Sequence, residues 1–592
     1  MCGIYGINSS IIPSESITEM GDIISHRGPD DEGRFIGDGI ALGHKRLSII
    51  DLSKAGKQPM KTVNGRYRIV FNGEIYNFKS LRSDLENRGY TFSTRTDTEV
   101  LLKGYEEWGE DVLVKLYGMF ALAIWDCKEE ELFLARDATG IKPLFYIQQS
   151  DYFVAFASEI KTFKALPGFQ FQADIRYVHQ YLEFGYVWEE NHTLLKGISK
   201  LPPGSLIKVK KGRIISKKRW WRPPAPEGKD RFPHAEDLDA ASGALLPLIE
   251  TVVKEHLVAD VPVGLLLSGG LDSSFLAAVA AKQLDNRLRT ISIGFRNCRD
   301  EREYGRRVAE YIGSDHRELI LDPDQVLREF KKSIWYYDDL FWDTGFITSL
   351  IVYRYCRMEG LRVVLVGEGA DEVFGGYRNF QLLGNSWVNR LPKLVHRYLF
   401  YRQYSSQWYG KHTGKLMSII KSLYAHNRSN WFSTVRNYEL SYQIPNNLNM
   451  KVDRASMANS IEARVPFQDR RIMEYACRLS SKYFLDKGTS KLPLRHLAEK
   501  HKLLPEEIFR RPKLGFMMPG SWLTEDREFF NFAQQLVCSD SGWAAELGFK
   551  KQMEHFFAGK NGSAMRFFRQ HIVYSALAWR LFVLELWCQE YL

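Results

Sequence analysis

The sequence predicts two domains of different fold class: an α+β domain with antiparallel sheets, followed by an α/β domain built on a parallel sheet. Short β-type runs bounded by Gly, Asn and Asp fill the first ~200 residues, whereas strands and helices alternate in the second half. Between these parts the chain is Pro-rich and polar, which is typical of a linker. We therefore predict domains at 1–215 and 237–592, joined by a linker at 216–236.

Apolar patterns predict the main elements of both domains. In the first domain, the predicted strands are 67–71, 120–125, 132–134 and 153–156, and the predicted helix is 98–108. In the second, the predicted strands are 263–267, 290–295 and 362–366, with helices at 235–255 and 273–283 and a further helix ending at 311. This spacing indicates βαβ units on a parallel sheet. The aromatic, basic stretch 379–443 is interpreted as a helical insertion.

The composition is that of an ordinary globular protein, with 45% hydrophobic and 26% charged residues among 592. Seven scattered cysteines without a CxxC pair argue against a disulfide framework or a zinc site, and they predict a cytoplasmic location. We expect no membrane span, because no apolar run approaches the roughly 18 residues that one requires.

The net charge of +10 suits phosphate-bearing small molecules, and we expect no nucleic-acid partner. The densest basic run, 208–219, alternates with apolar residues and predicts an exposed hairpin that turns at Lys211-Gly212. The aromatic stretch 567–587 is interrupted by charged residues, which predicts a buried amphipathic helix or a partner-binding face. The sequence leaves the oligomeric state open, with a homodimer among the alternatives.

Cys2 is the first candidate catalytic residue. Removal of Met1 would make it N-terminal, so that its thiol attacks a carbonyl while its own α-amine acts as the base. An α-amine titrates near about pH 8, so it can accept the thiol proton near neutral pH. The alternative is an inert, small apolar side chain.

The run Ser268-Gly269-Gly270-Leu271-Asp272-Ser273-Ser274 lies where an apolar strand ends and a helix begins. Its glycines allow backbone N–H groups to surround an anion, and we expect Ser273 and Ser274 to cap the helix. An aspartate beside an anion site indicates a bridging divalent cation, for which Mg²⁺ is the usual choice. The spacing fits neither GxxxxGK[ST] nor GxGxxG, and an ordinary strand–helix turn is the alternative.

A second acidic turn, Gly367-Glu368-Gly369-Ala370-Asp371-Glu372, follows another predicted strand. Because open α/β sheets bind ligands at the carboxyl ends of their strands, we expect the two loops to face one site. Asp371 would then supply a second Mg²⁺ ligand, and a solvated acidic turn is the alternative.

Polar clusters in the first domain indicate a separate site. Arg46 offers a guanidinium that can hold a carboxylate through two hydrogen bonds. Asn72 and Gly73 follow a strand, where an amide side chain and a backbone N–H can form an oxyanion hole. Asp97 begins a helix, so a helix-capping role is the alternative to substrate binding.

Together these motifs resemble those of a known family. The first domain is similar to class II, N-terminal-nucleophile glutaminase domains, and the second to the synthetase domain of glutamine-hydrolysing asparagine synthetases, of the ATP-pyrophosphatase superfamily. The resemblance rests on segments 1–6, 26–30, 46–51, 72–77, 97–99, 140–144, 268–274, 367–377, 451–458 and 462–467, with Lys491 and Leu494-Arg495. It implies an α+β sandwich of antiparallel sheets between helices, then an α/β ATP-pyrophosphatase domain with helical insertions.

The resemblance also implies a role for each site residue. Cys2 would hydrolyse glutamine, and the ammonia would pass through an interior tunnel to an acyl-adenylate. Asn72 and Gly73 would stabilise the oxyanion, while Glu368 and Lys491 would form and stabilise the adenylate transition state. Glutamine would be bound by Arg46, Leu47, Ser48, Ile49, Ile50, Asn72, Gly73, Glu74 and Asp97. ATP would be bound by Leu266, Ser268, Gly269, Gly270, Asp272, Ser273, Ile293, Val366 and Gly367, and Mg²⁺ by Asp272 and Asp371.

The acceptor is where the sequence departs from the family pattern. Segment 337–349 retains Asp343, but its unusual residues are Asp339, Leu340, Trp342 and Phe346, and Gln468 replaces a typical Leu elsewhere. If the segment lines the acceptor pocket, another carboxylate such as a sugar uronic acid would replace aspartate; otherwise the changes are drift. Aspartate is the leading expectation, giving asparagine, AMP, pyrophosphate and glutamate. A binding protein without chemistry is disfavoured, because the catalytic residues are present.

Overall fold

The first domain is a sandwich of two antiparallel sheets. The computed structural model describes residues 2–149, 152–225, 238–296, 302–384, 395, 398–400, 404, 413–426, 431–486, 488–511, 527–558 and 572–592. Strands β1 to β12 are Gly3–Ser9, Asp31–Gly37, Ile40–Arg46, Met60–Lys61, Tyr67–Ile75, Gly118–Asp126, Glu131–Arg136, Phe145–Gln148, Phe153–Ala157, Ile198–Lys200, Ser205–Lys210 and Arg213–Arg219. One sheet has the order β10-β8-β9-β1-β3-β2 and the other β12-β11-β7-β6-β5-β4. Ile4 and Leu42 of the first sheet pack against Val70 and Leu134 of the second.

Helices cover the outer faces of these sheets. The α-helices are Ser14–Ile23, Phe78–Asn87, Asp97–Trp108, Val112–Lys115 and Ile175–Phe184, with short 3₁₀ turns at Ser25–Arg27, Lys54–Gly56, Gly109–Asp111 and Ile160–Ala165. Ile17 packs in one apolar cluster with Tyr5 of β1, and Leu101 packs in another with Phe71 of β5. The predicted sandwich of antiparallel sheets between helices is confirmed.

The second domain is built on a parallel sheet. Its strands β13 to β17 are Val263–Leu266, Arg289–Phe295, Asp315–Leu321, Val363–Leu365 and Glu462–Arg464, in the order β15-β14-β13-β16-β17, and a small hairpin follows with β18 at Leu485–Asp486 and β19 at Thr489–Ser490. All neighbouring strands of the large sheet are parallel, so the predicted α/β class is confirmed. The sequence did not predict β15 or β17.

Helices surround this sheet. They are Leu238–Gly243, Leu245–His256, Leu271–Ala281, Arg302–Ile312, Pro323–Tyr337, Gly345–Met358, Ala370–Phe374, Arg378–Gly384, Thr413–His426, Trp431–Tyr438, Asn449–Met457, Arg470–Arg478, Leu492–Lys500, Glu506–Arg510, Arg527–Val537, Trp543–Glu546, Lys550–Ala558 and Ile572–Tyr591. Irregular turns are the π-helix Glu439–Leu448 and the 3₁₀ turns Pro466–Gln468 and Ser481–Tyr483. The described part of the 379–443 insertion is thus helical, and the remainder lies outside the described residues.

Three sequence-based boundaries were wrong. The predicted helix 235–255 is two helices, which meet at Ala244. The helix after β13 begins at Leu271, because Gly270 takes the extended conformation of an N-cap, so Ser273 and Ser274 lie in the first turn and do not cap it. β12 ends at Arg219, inside the predicted linker, most of which lies outside the described residues. The predicted hairpin turn at Lys211-Gly212 is present.

The two domains share one continuous apolar core, which joins Tyr5 and Tyr181 to Leu350 and Trp587. The last helix, Ile572–Tyr591, contacts both domains: Arg580 donates to the carbonyls of Leu182 and Glu183, and the Trp587 indole N–H donates to the carbonyl of Asp338. From Leu577 to Trp587 most side chains of this helix are buried, as predicted, whereas the first residues of the predicted stretch 567–587 lie outside the described residues. Among the described helices, none combines the length and apolar character that crossing a membrane requires.

Candidate active sites

The Cys2 site lies where β1 begins beside β5. The backbone N–H of Cys2 donates to Asn72 Oδ1 at 3.0 Å, and the Cys2 thiol points to the carbonyl of Leu47 at 3.9 Å. The amide nitrogen Nδ2 of Asn72 has no hydrogen-bond partner among the described residues. Burial raises the pKa of the Cys2 thiol, which is therefore protonated at rest and needs a base before it can attack. Asn72 thus holds Cys2 through Oδ1, while its Nδ2 has donors to spare.

Two buried carboxylates, Glu74 and Asp97, lie close enough together for Asp97 to raise the pKa of Glu74. Glu74 Oε2 accepts from Arg464 Nη2 at 3.2 Å, whereas Glu74 Oε1 has no partner among the described residues. Asp97 Oδ2 accepts the backbone N–H of Ile75 at 2.9 Å, and burial raises the Asp97 pKa to about 6. The capping alternative for Asp97 was wrong, because Thr96 is the N-cap and accepts from the Glu99 N–H.

Arg46 holds the loop that contains the other predicted glutamine-binding residues, Leu47, Ser48, Ile49 and Ile50. Its Nη1 donates to the carbonyl of Ser53 at 2.7 Å, and its Nη2 donates to the carbonyl of Asp51. These bonds use two of the five N–H donors of the guanidinium, so three remain for a carboxylate. The Ser48 N–H donates to Asp30, and the Ile49 carbonyl accepts from Asp260 of the second domain. The loop is therefore fixed from both sides.

In the second domain, residues 268–274, called the phosphate loop after the ligand predicted for them, follow β13 at the point where the strand order reverses. Gly269 has φ +70°, and a Cβ there would lie 2.6 Å from the Gly305 nitrogen, so glycine is required for this turn. Ser268 Oγ lies 3.0 Å from Ser273 Oγ. The Ser268 hydroxyl also accepts the N–H of Gly270 at 3.3 Å. β13 pairs with β14 on one side and with β16 on the other. The strand order therefore reverses at β13, and open α/β sheets usually bind their ligands at the carboxyl ends of the strands at such a point.

The two acidic loops meet at Lys491. The Lys491 ammonium lies 2.6 Å from both carboxylate oxygens of Asp272 and 2.6 Å from Asp371 Oδ1. Burial lowers the Lys491 pKa, but the two carboxylates outweigh it and the net shift is upward. A Cβ on Gly376 would lie 1.8 Å from Asp371 Oδ1, so glycine permits this close approach. The two carboxylates predicted to bind Mg²⁺ therefore face one point, which an ammonium group occupies.

Glu368 belongs to a second group of charges. Lys451 Nζ lies 3.0 Å from Asp343 Oδ2 and 3.7 Å from Glu368 Oε1. Lys451 is buried, and its pKa is raised because the attraction of these carboxylates outweighs burial. The sequence had given Lys451 only as part of a motif, with no role assigned to it.

Apolar residues complete this edge of the sheet. Val366 is buried in the main core, and Leu266 and Ile293 pack against that core. Gly367 lies next to the phosphate loop, since a Cβ on it would be 3.1 Å from the Ser273 nitrogen. These four of the nine residues predicted to bind ATP thus lie in, or just after, the neighbouring strands β13, β14 and β16.

Comparison with known proteins agrees with this geometry. The glutamine amidotransferase domain family matches residues 1–221, and the asparagine synthase family matches residues 244–589. The chain belongs to the asparagine synthase family. It is 32% identical over 573 residues to asparagine synthetase [glutamine-hydrolyzing] 1 of Bacillus subtilis, covering 89% of this chain and 88% of that protein. It is 32% identical over 568 residues to a putative asparagine synthetase [glutamine-hydrolyzing] of Mycobacterium tuberculosis, covering 86% and 85%.

Among solved structures, one match is an allosteric regulatory enzyme of purine biosynthesis. The match covers 54% of this chain and 90% of the chain of that enzyme, with 16% sequence identity and a TM-score of 0.30. As a member of the asparagine synthase family, the chain is a glutamine-dependent amidotransferase and a carbon–nitrogen ligase. The family uses ATP, which suits the loops at the edge of the parallel sheet.

The segment that departs from the family pattern mostly faces the first domain. Asp339 Oδ1 accepts the N–H of Leu194 at 3.1 Å, and the Trp342 ring lies so close to Gly185 that a Cβ there would be 2.3 Å from it. Phe346 packs in an aromatic cluster with Tyr337. Asp343 alone in this set contacts a charge of the synthetase site. Asp339, Trp342 and Phe346 therefore serve packing between and within the domains.

Arg464 and Arg27 also belong to the surroundings of Cys2, although no local sequence pattern indicated them. Arg464 contacts Glu74, and Arg27 Nε donates to the Cys2 carbonyl at 3.1 Å. Arg27 also forms two bonds to Asp453 of the second domain, at 2.8 and 3.0 Å. Both arginines lie in motifs that carried the resemblance, but their cross-domain partners are hundreds of positions away and leave no local signal.

Proposed function

We propose that this enzyme hydrolyses glutamine at Cys2 and passes the ammonia to an acyl-adenylate formed in the second domain, with aspartate as the acceptor. One observation carries the proposal: a single chain holds a buried thiol beside an unpartnered amide donor, and separately two carboxylates that converge on one cation. The first arrangement suits amide hydrolysis and the second suits nucleotide chemistry.

In the first step, the Cys2 thiol attacks the side-chain amide of glutamine. The α-amine of Cys2, exposed by removal of Met1, accepts the thiol proton. Asn72 Nδ2 and the Gly73 N–H donate to the oxyanion, while Arg46 binds the α-carboxylate of the substrate and Glu74 and Asp97 bind its α-amine. Ammonia then leaves through the interior of the domain interface, and water hydrolyses the thioester that remains on Cys2, which releases glutamate and restores the thiol.

In the second step, the loops after β13 and β16 hold ATP. The glycines of residues 268–270 offer backbone N–H groups to phosphate, and Leu266, Ile293 and Val366 form the apolar surface under the base. Asp272 and Asp371 fit Mg²⁺, which binds to one or two carboxylates together with substrate phosphates. The metal ion would supply positive charge beside the phosphates, and Lys491 would offset negative charge as the acceptor carboxylate displaces pyrophosphate from the α-phosphate.

The Lys451 cluster supports aspartate as the acceptor. Aspartate carries an ammonium group and two carboxylates, so it can pair with Asp343 or Glu368 and with Lys451 at once. A uronic acid has no ammonium group to pair with these carboxylates. The unusual residues Asp339, Trp342 and Phe346 give no reason to prefer a uronic acid, since they serve packing contacts.

An acceptor panel tests this proposal. Pyrophosphate release is measured with ATP, Mg²⁺ and ammonia in the presence of aspartate, succinate, glucuronate or galacturonate. We expect release with aspartate and little with succinate, which lacks the ammonium group. Release with a uronic acid and none with aspartate would overturn the choice of acceptor, whereas no release with any carboxylate would overturn the adenylation step.

A further inference from the structure

Arg464 joins the two domains at the glutamine site. Its guanidinium is fully buried, and Nη2 reaches across the interface to Glu74 Oε2 at 3.2 Å. Nε donates to Glu462 Oε1 at 2.6 Å, and Nη1 donates to the carbonyls of His256 and Val258 at 2.6 and 2.8 Å. These bonds come from two segments of the synthetase domain, β17 and the end of the helix Leu245–His256 with the residues just after it, and they fix the guanidinium plane. Arg464 therefore presents a donor to Glu74 in one orientation.

The contact leaves Glu74 partly free. Oε2 is bound to Arg464, while the buried Oε1 has no partner among the described residues. A buried carboxylate oxygen without a partner is costly, so a donor from the substrate is expected there. Glu74 lies two residues from Asn72, whose Nδ2 is also unpartnered. The two unpartnered atoms, Glu74 Oε1 and Asn72 Nδ2, thus belong to residues of the same strand, β5.

The charge balance of this site depends on Arg464. Burial raises the Glu74 pKa and the nearby Asp97 carboxylate raises it further; Arg464 opposes both effects, but the net shift of the Glu74 pKa is upward. Glu462 adds a third carboxylate, which Arg464 also contacts. A neutral side chain at position 464 would leave these carboxylates without their guanidinium partner, and Glu74 would hold a proton more readily.

We propose that Arg464 of the synthetase domain is a positioning residue of the glutaminase site, which holds the Glu74 carboxyl group in the orientation that receives the α-amine of glutamine. This inference rests on the proposed role of Glu74 in glutamine binding. It means that the glutaminase domain does not carry a complete substrate site by itself. Arg464 touches no substrate, and its effect passes entirely through Glu74.

The test compares Arg464→Lys and Arg464→Met with the parent enzyme, using two amides. One is glutamine, and the other is glutaramate, which is glutamine without its α-amino group. Arg464→Lys keeps a charge but cannot form all the bonds of a guanidinium. We expect kcat/KM for glutamine to fall about tenfold or more in Arg464→Met, mainly through KM, with a smaller loss in Arg464→Lys. Hydrolysis of glutaramate should change less than twofold, because it has no amine for Glu74 to bind.

Arg436→Lys is the matched control. Arg436 is also a buried arginine of this domain, but its Nη1 and Nη2 donate to the carbonyls of Ala476 and Cys477 and reach no residue of the glutaminase domain. This variant should keep the parent preference for glutamine over glutaramate.

Equal losses with both amides in the Arg464 variants would overturn the proposal, because they would show a structural role. An unchanged KM for glutamine would overturn it as well. Ammonia-dependent pyrophosphate release, measured in parallel, reports on the synthetase domain. If the parent enzyme released no pyrophosphate with ammonia, the proposed adenylation would be contradicted, and the role of Arg464 would not. Failure of the proposed function and failure of this inference are therefore distinguishable.

Discussion

The two candidate sites of this chain are built in different ways. The synthetase site lies at one edge of one sheet, and its charged groups, Asp272, Asp371 and Lys491, all belong to the second domain. The Cys2 site takes its nucleophile from the first domain but receives Arg464 and Asp453 contacts from the second. The charged groups of the candidate synthetase site thus come from its own domain, whereas the Cys2 site also depends on charged residues of the other domain.

Substitution of the nucleophile should separate the two sites most sharply. Cys2→Ala removes the thiol, and glutamine-dependent turnover should fall by at least about 10³-fold. Ammonia-dependent pyrophosphate release should persist, because its charged groups lie in the other domain. Loss of both activities would contradict the division of labour. The assay is pyrophosphate release with glutamine or with ammonia as the nitrogen source.

Lys491→Met should have the reverse effect. Loss of the ammonium group between Asp272 and Asp371 should lower pyrophosphate release by about 10²- to 10³-fold with either nitrogen source. Glutamine hydrolysis, measured as glutamate formation, should remain within a few-fold of the parent rate. Lys500→Met is the control, since Lys500 is half-exposed and pairs with Asp239 at 2.9 Å away from these carboxylates. A comparable loss in that control would contradict a specific role for Lys491.

Asp453→Asn should weaken the domain interface. It removes the charge that pairs with buried Arg27 at 2.8 Å, although Glu159 still pairs with Arg27 at 2.7 Å. Breaking a buried ion pair in this way should cost about 3 kcal/mol of unfolding free energy, and glutamine hydrolysis should fall because Arg27 also holds the Cys2 carbonyl. Urea denaturation measures the first effect. Glu506→Gln, in an exposed pair with Arg510, should cause no measurable change.

Acid should affect the Cys2 site through Asp97. Its pKa is raised to about 6 by burial, so below that pH the carboxyl is protonated and cannot pair with the α-amine of glutamine. We expect kcat/KM for glutamine hydrolysis to fall up to about tenfold for each pH unit below about 6, and to be independent of Asp97 above it. Glu74, Glu462 and Arg464 face the same region and shape this titration. The Asp97→Asn variant should lack this fall in kcat/KM below about pH 6. If the variant and the parent enzyme show the same pH profile, Asp97 is not the group whose titration controls glutamine hydrolysis.

The sequence predicted the sheets of the first domain and the convergence of the two acidic loops, because both depend on local patterns and on the geometry of parallel strands. It missed β17, since Glu462–Arg464 is too short for periodicity and pairs with a distant strand. It missed β15 because charged residues interrupt the apolar pattern of this edge strand. The Arg464–Glu74 contact joins residues 390 positions apart, so no local feature indicates it.

Arg464 has one further consequence. Its side chain contacts Glu74, and its backbone carbonyl accepts the N–H of Val366, which precedes the Gly367-Glu368 loop. Arg464 therefore contacts residues of both candidate sites. The two domains are separable in sequence but not interchangeable as modules, and a glutaminase domain grafted onto another synthetase would need an equivalent arginine at this strand to retain its affinity for glutamine.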